Sequence, residues 1–299
     1  MVSEGKGCRY CSSAVSSFNL AIEKLITDLG FECEKEYKFS GTKSYDVYVP
    51  AKKLAIDYHG NIWHSTKYRR DTGSHSERLR LSEALGITYI QVFSDEWRDR
   101  NAQVVARIKH LLGLSCKVPA RTCAVVEISK AEANSFLDKH HVQGEVSAGN
   151  LCLGLTDSTG TLVAVMVVGA NVSSRSATDD LEMLRYATAV CVVGGLSKLL
   201  ARVRSLYKGR TLVTYGDRRM FSGASYTSVG FKLLALSKPD YRYITASDDT
   251  RLHKSNFTKE RIAHRFGIAI EGKTEFELAE SLGYYRVYDA GKSKWGMTL

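Results

Sequence analysis

SYDVYVPAKKLAIDYHGNIWHS, residues Ser44–Ser65, decides the fold of the first part of the chain. Asp46-Val47-Tyr48-Val49 alternates as a strand does, and Pro50-Ala51-Lys52 turns the chain. Lys53-Leu54-Ala55-Ile56-Asp57-Tyr58 then runs back as a mostly apolar strand. Asp46 opens the first strand and Asp57 stands near the end of the second, so a hairpin brings the two carboxylates to one end. Close carboxylates repel unless a cation lies between them, and Mg²⁺ accepts one or two carboxylates together with waters and phosphate oxygens. The alternative is a pair of ordinary strand-end acids. Gly60 bends the backbone ahead of Trp63-His64. His64 is placed to act as a base, to protonate a leaving oxygen, or simply to cap the loop.

Upstream, Ser12 to Gly30 has helical periodicity, with Phe18, Ile22, Leu25 and Leu29 on one face and Gly30 as the C-terminal cap. Glu23 lies beside that face, and Glu32, Glu34 and Glu36 follow the helix. Lys35 to Phe39 reads as a strand. Downstream, residues 65–75 form a basic, Gly-containing loop whose Lys67, Arg69 and Arg70 suit backbone phosphates or plain solvation. Ser76 to Leu85 reads as a helix, and Ile87 to Phe93 as a buried strand of an α/β sheet. Ala102 to Leu114 is an amphipathic helix.

The chain has 299 residues, 44% hydrophobic and 25% charged, which predicts two domains. No apolar run is long enough for a membrane span, and the N-terminus lacks the apolar core of a signal peptide. Seven scattered cysteines argue against a disulfide framework and fit a reducing cytoplasm. Cys8 and Cys11 form a lone CxxC, half of the ligand set that a structural Zn²⁺ needs. A formal charge of +10 and a pI near 9.2 favour a polyanionic partner, most simply double-stranded DNA.

Ser115 to Thr122, polar and proline-containing, reads as a linker, which sets domains at 1–114 and 123–299. The second begins with a strand at Val125–Ile128 and a helix at Lys130–Lys139, closed by His140-His141. A hairpin follows across Asp157–Gly160, then a strand at Leu181–Thr188. Gly194-Gly195 opens a helix running to Leu206, and Leu212–Tyr215 is a strand leading into Gly216-Asp217-Arg218-Arg219. Backbone N–H groups at Gly194-Gly195 suit a phosphate, either of an acyl-CoA or of a DNA backbone; close packing is the bland role of the two glycines. Beyond Tyr243, Lys254, Arg261 and neighbouring cations interleave with Phe257 and Phe266, a pattern suited to DNA contact or to a solvated helix face. Thr274 to Gly283 reads as a helix and Tyr284 to Asp289 as a closing strand.

The pattern D-x-(Y/F)-V-P…L-A-I-(D/E)-x-x-G-x-x-W-H-S, carried by Asp46 to Ser65, resembles the nuclease core of Vsr-type mismatch endonucleases. It is closer still to the phage EDxHD homing endonucleases, a branch of the PD-(D/E)XK superfamily. The resemblance spans about Phe18 to Leu114 and continues through Ile87–Trp97. It implies a DNA endonuclease, with Mg²⁺ or Mn²⁺ at Asp46 and Asp57 and with His64 catalytic. It implies further that Glu23 supplies the first acid, with Glu32, Glu34 or Glu36 as substitutes. Asp95 reads as the last acid of the pattern or as a helix N-terminal acid, and Arg78 as a contact to phosphate. Related phage proteins often begin with a zinc-binding cysteine segment, which bears on Cys8 and Cys11.

The second half has the element order of a GNAT acyltransferase. On His140-His141, Leu184-Arg185, Gly195-Leu-Ser197-Lys198 and Thr214-Tyr-Gly-Asp217 it resembles Mom-type phage DNA-modification proteins. That resemblance implies a second site at His141, Gly194, Gly195 and Asp217. Lys198, Arg218, Arg219, Lys254 and Arg261 are then candidates for DNA contact. The expected fold is α/β (α+β), a PD-(D/E)XK/Vsr-like domain followed by a GNAT/Mom-like domain, acting in the cytoplasm of an infected bacterial host. A Mom-like acyl-transferring enzyme with a targeting N-terminal domain is the alternative.

Overall fold

The computed structural model describes residues 17–69, 72–170, 180–270 and 272–299. Cys8, Cys11, Arg70 and the expected helix residues 12–16 lie outside the described residues. The first helix, α1 (Ser17–Asp28), buries Phe18, Ile22 and Ile26, an i, i+4, i+8 stripe, and Gly30 leaves it at φ +83°. Three antiparallel strands follow: β1 (Glu34–Ser40), β2 (Lys43–Val49) and β3 (Leu54–His59). A 3₁₀ turn at Pro50–Lys52, closed by Lys53 at φ +44°, links the last two. Next come α2 (Ser74–Ala84) and β4 (Thr88–Phe93), which pairs parallel to β3 from Leu54↔Thr88 to His59↔Phe93. The sheet order is therefore β1-β2-β3-β4.

The chain continues through α3 (Ser94–Asp99), α4 (Asn101–Leu112), β5 (Lys117–Pro119), β6 (Ala124–Glu127) and α5 (Lys130–His140). A capping box starts α5: Ser129 Oγ accepts from Glu132 N, and Glu132 accepts from the Ser129 amide. Then come β7 (Leu151–Thr156), β8 (Leu162–Ala170), β9 (Leu181–Thr188), β10 (Cys191–Val193), α6 (Gly195–Leu206), β11 (Thr211–Asp217), α7 (Ala224–Ser228) and β12 (Lys232–Leu236). The remainder holds β13 (Tyr241–Thr245), β14 (Leu252–His253), α8 (Lys259–Phe266), α9 (Glu275–Ser281), β15 (Tyr284–Tyr288) and β16 (Lys292–Thr298).

These elements form two compact units of mixed α/β structure, each interrupted in sequence. One is the chain up to Asp95 together with Tyr241–Tyr288; the other is Glu96–Asp240 together with Asp289–Leu299. The first holds the β1–β4 sheet and a small sheet ordered β14-β13-β15. Phe93, Ile244 and Val287 share a buried cluster there, and Tyr243, Phe257, Ile262, Leu278 and Ala279 form another. The second holds a seven-stranded sheet ordered β12-β16-β11-β9-β8-β7-β6.

The expected boundaries at 114 and 123 differ from this division. Helix α4 belongs to the second unit, and the stretch read as a linker is ordered structure within it. There β5 pairs parallel with β10, and Ala120 and Cys123 enter the core beside Leu196, Leu199 and Val203. A short polar stretch with a proline hid the inward-facing Ala120. Nor is β15 the closing strand: β16 follows it and lies between β12 and β11.

Candidate active site

The hairpin delivers the expected convergence of acids. Ladder pairing of β2 with β3 runs from Val49↔Leu54 to Val47↔Ile56, and one step further Asp46 faces Asp57. There the side chains take over from the backbone: Asp46 N donates to Asp57 Oδ1 at 2.9 Å, and Tyr58 N donates to Asp46 Oδ2 at 2.7 Å. On the other side of β2, pairing of Lys35 with Val47 and Tyr37 with Tyr45 sets Glu36 opposite Asp46. Glu36, Asp46 and Asp57 thus form one row of acids across three strands. Glu36 stands at φ +49°, a left-handed conformation unusual for a non-glycine strand residue, and its carboxylate accepts from Ser44 Oγ at 2.9 Å.

Asp57 is the member of this row that pairs with Arg78. It is 2% exposed, and its Oδ2 accepts from Arg78 Nη2 at 2.5 Å and from the Tyr89 hydroxyl at 2.5 Å. Arg78 also donates to the Ser44 carbonyl and packs its guanidinium 5.5 Å from the Phe39 ring centroid. Burial pushes Asp57 up, while Arg78, Tyr89 and the Asp46 amide pull it back. Burial, and then the Asp57 charge, push Asp46 up to about 7; Glu36 adds to the rise, and the Tyr58 amide and Arg78 oppose it. The donor set fits a hard dication. It offers carboxylate oxygens from adjacent strands, and its surplus negative charge leaves one acid holding a proton near neutrality.

His64 follows a tight turn in which Trp63 N and His64 N both donate to the Gly60 carbonyl, at 3.0 and 3.2 Å. A Cβ on Gly60 would stand 3.2 Å from Trp63 Cδ1. His64 Nδ1 lies 2.9 Å from His75 Nε2, and both rings pack against His59. Burial, then His75, Arg69 and Arg78, hold the His64 pKa well below 6.5. A neutral imidazole at physiological pH suits a proton acceptor or a metal ligand, and of the expected roles it favours the base over the proton donor.

Other expected site residues are engaged elsewhere. Glu23 pairs with Lys35 at 3.1 Å, so Glu36 is the acid that the structure sets beside Asp46. Asp95 is a brace: Arg251 Nε donates to it at 2.8 and 3.0 Å, and Asn61 Nδ2 donates at 2.9 Å. Arg78 serves Asp57. Lys67 and Arg69 are exposed after the His64 turn, Lys67 lying 5.4 Å from the Tyr68 ring centroid and 5.5 Å from that of Tyr285. Arg261 is exposed on α8, where it donates to the Ser255 carbonyl at 2.8 Å, and Lys254 lies 5.5 Å from the Tyr241 ring centroid.

In the second unit, the residues expected to contact DNA turn inward. Lys198 Nζ donates to the Ala120 and Cys123 carbonyls at 2.9 and 2.5 Å. Arg219 is 4% exposed and grips Glu96 at 2.8 and 3.0 Å and Asp217 at 2.5 Å. Arg218 reaches the Ala290 carbonyl at 3.5 Å. Asp217 is therefore a partner of Arg219. His141 caps α5 and accepts from Gln143 N at 3.1 Å; burial, then Arg185 and Arg100, push its pKa down to about 3. Gly194, at φ +79°, is the N-cap of α6. Gly195 is packed: a Cβ there would stand 2.9 Å from Val192 Cγ1 and 3.0 Å from the Tyr186 hydroxyl. Sequence reading missed the support given by Tyr89 and the cluster of His59 with His75. A polar residue on an apolar strand, as at His59 and Gln91, was the available signal.

No family model matches the chain, and no curated protein matches it. Among solved structures it is similar to a Corynebacterium glutamicum chain described as histone acetyltransferase HPA2 and related acetyltransferase. That match has 15% identity, covers 49% of this chain and 84% of that one, and has a TM-score of 0.28. It is similar also to nourseothricin acetyltransferase, at 15% identity, covering 59% of this chain and 98% of that one, with a TM-score of 0.29. Superpositions this loose specify neither a shared site nor a shared activity.

Proposed function

We propose that the first unit is a metal-dependent DNA endonuclease of the EDxHD type, hydrolysing phosphodiester bonds at the Glu36–Asp46–Asp57 row. The observation that carries this reading is the opposition of Asp46 and Asp57, each carboxylate accepting from the other strand's backbone, Asp46 N to Asp57 and Tyr58 N to Asp46. Bound at these carboxylates, Mg²⁺ or Mn²⁺ would neutralise charge on the scissile phosphate. Arg78 and Tyr89 hold Asp57 in one orientation, and Asp46 releases its proton to open the site to a cation. Lys67 and Arg69, and Arg261 on α8, lie on the same unit and supply exposed cations for backbone phosphates. A homing role within a phage is the biological setting that the sequence resemblance implies.

The test is incubation of supercoiled plasmid with Mg²⁺ and either wild type or Asp46→Asn. Nicked or linear product from wild type alone is expected. Intact DNA with wild type across Mg²⁺ and Mn²⁺ would overturn the reading.

A specific feature of the second unit favours an additional acyl-transfer reading. Parallel strands β9 and β11 pair only at Leu181↔Leu212, Glu182↔Val213 and Met183↔Thr214, although β9 runs on to Thr188 and β11 to Asp217. Past that point the two strands no longer pair, on the carboxyl side where open α/β sheets bind ligands. The chain leaving β9 passes through β10 to the Gly194-Gly195 start of α6. Calorimetric titration with acetyl-CoA tests this: saturable binding is expected, and no heat at millimolar ligand would remove the reading.

A further inference from the structure

We propose that His59, His64 and His75 form a nitrogen-donor metal site, separate from the carboxylate row, that takes a transition-metal ion of the Zn²⁺ class. Their ligand atoms all lie within 4.8 Å of one another. The three rings come from different places: the end of β3, the turn after Gly60 and the first turn of α2. Ring centroids are separated by 4.3 Å for His59–His75, 4.4 Å for His59–His64 and 5.1 Å for His64–His75. Zn–N bonds of about 2.0–2.1 Å in a tetrahedron set nitrogens about 3.3 Å apart. The 2.9 Å separation of His64 Nδ1 from His75 Nε2 is already at that scale. Rotation of the His59 ring out of its stack on His75 would close the rest.

The surroundings of His75 are those of a ligand. Its Nδ1 lies 2.7 Å from the Tyr288 carbonyl oxygen, and a carbonyl only accepts, so Nδ1 carries the hydrogen. In the neutral ring, Nε2 then turns its lone pair toward His64. A carbonyl on the far nitrogen is the usual way a protein fixes the tautomer of a metal-binding histidine. The backbone there is braced as well, since Gln91 Nε2 donates to the His75 carbonyl at 2.9 Å. Phe93 packs beside His59 and His75 at 5.7 and 5.6 Å between centroids, walling one side with an apolar ring.

Donor type separates this site from the acids. Imidazole nitrogens select Zn²⁺, Co²⁺, Ni²⁺ or Cu²⁺ over Mg²⁺, which prefers oxygen. Three protein ligands leave a fourth place for water or a phosphate oxygen. His64 is the one of the three that is not fully buried. Asp57 precedes His59 by two residues on β3, so the two side chains share a sheet face about 7 Å apart along the strand.

The test uses the full-length chain, stripped with a chelator and titrated with Co²⁺ as a spectroscopic probe and with Zn²⁺. A Cys8→Ser/Cys11→Ser variant removes the only CxxC from consideration. We expect one equivalent of Co²⁺ with visible ligand-field bands in wild type and in the double-serine variant, and a Zn²⁺-dependent rise in Tm in both. We expect His64→Asn to weaken binding by about tenfold or more and to lose the Tm rise. Because His64 lies at the edge of the cluster, that variant keeps its fold, checked by circular dichroism. Equal Co²⁺ binding by wild type and His64→Asn, or none by the double-serine variant, would overturn the site. The readout is binding, so it stands whether or not the carboxylate row cleaves DNA.

Discussion

At the scale of the residue, Asp46 is central to the proposed chemistry, and its proton can be followed. A carboxyl in the unfolded chain titrates near about 4, whereas in the folded protein Asp46 titrates at about 7. The folded state therefore binds the proton more tightly, and its advantage fades as pH climbs from about 4 through 7. Asp46→Asn keeps the acceptor for Tyr58 N and removes the buried charge. It should raise Tm above pH 7 and leave it nearly unchanged near pH 4, as read by thermal melts across pH. Arg78 is the opposite case. Arg78→Met strands Asp57, 2% exposed, without its cation, and a loss of roughly 3–5 kcal/mol is expected in denaturant unfolding. The convergence of Asp46 and Asp57 was legible from the hairpin, whereas a catalytic role for them and for His64 rested on the family resemblance. Glu36 was legible only as one of four candidate acids, because strand register and not sequence distance brings it opposite Asp46. Arg219 looked like a DNA contact because sequence does not show that Glu96, 123 positions away, meets it.

At the scale of the element, local signals served well where they were local. The capping box at Ser129 and that at Thr274 with Glu277 mark the starts of α5 and α9. Ser129→Ala should cost about 1 kcal/mol, measured by denaturant unfolding. Strand β16 escaped notice because KSKWGMT carries a single β-branched residue, Thr298, and that at its last position. Its signal was alternation: Ser293, Trp295 and Met297 are buried on one side. The linker reading of 115–122 failed for a similar reason, since a three-residue strand such as β5 leaves almost no periodicity to read.

At the scale of the whole molecule, both units are discontinuous, and this was not legible at all. Periodicity reports that Tyr284–Tyr288 is a strand, but not that it pairs with β13 in the same unit as the N-terminal sheet. Charge was legible as a total and misleading in its distribution. Of the described candidates for DNA contact, Lys198, Arg219 and Arg78 are spent on internal partners, Arg218 and Lys254 are half-buried, and Lys67, Arg69 and Arg261 are exposed. Changing Lys67 and Arg69 to Ala should reduce the slope of log K against log salt by about 2 in DNA-binding titrations.

The most direct test of the carboxylate row is the pH profile of plasmid cleavage at two Mg²⁺ concentrations. Proton and cation compete for Asp46, so cleavage should rise through a midpoint near pH 7 at low Mg²⁺, and the midpoint should move to lower pH as Mg²⁺ increases. A midpoint that ignores Mg²⁺, or cleavage that persists unchanged in Asp46→Asn, would contradict the assignment of this row as the metal-dependent nuclease site.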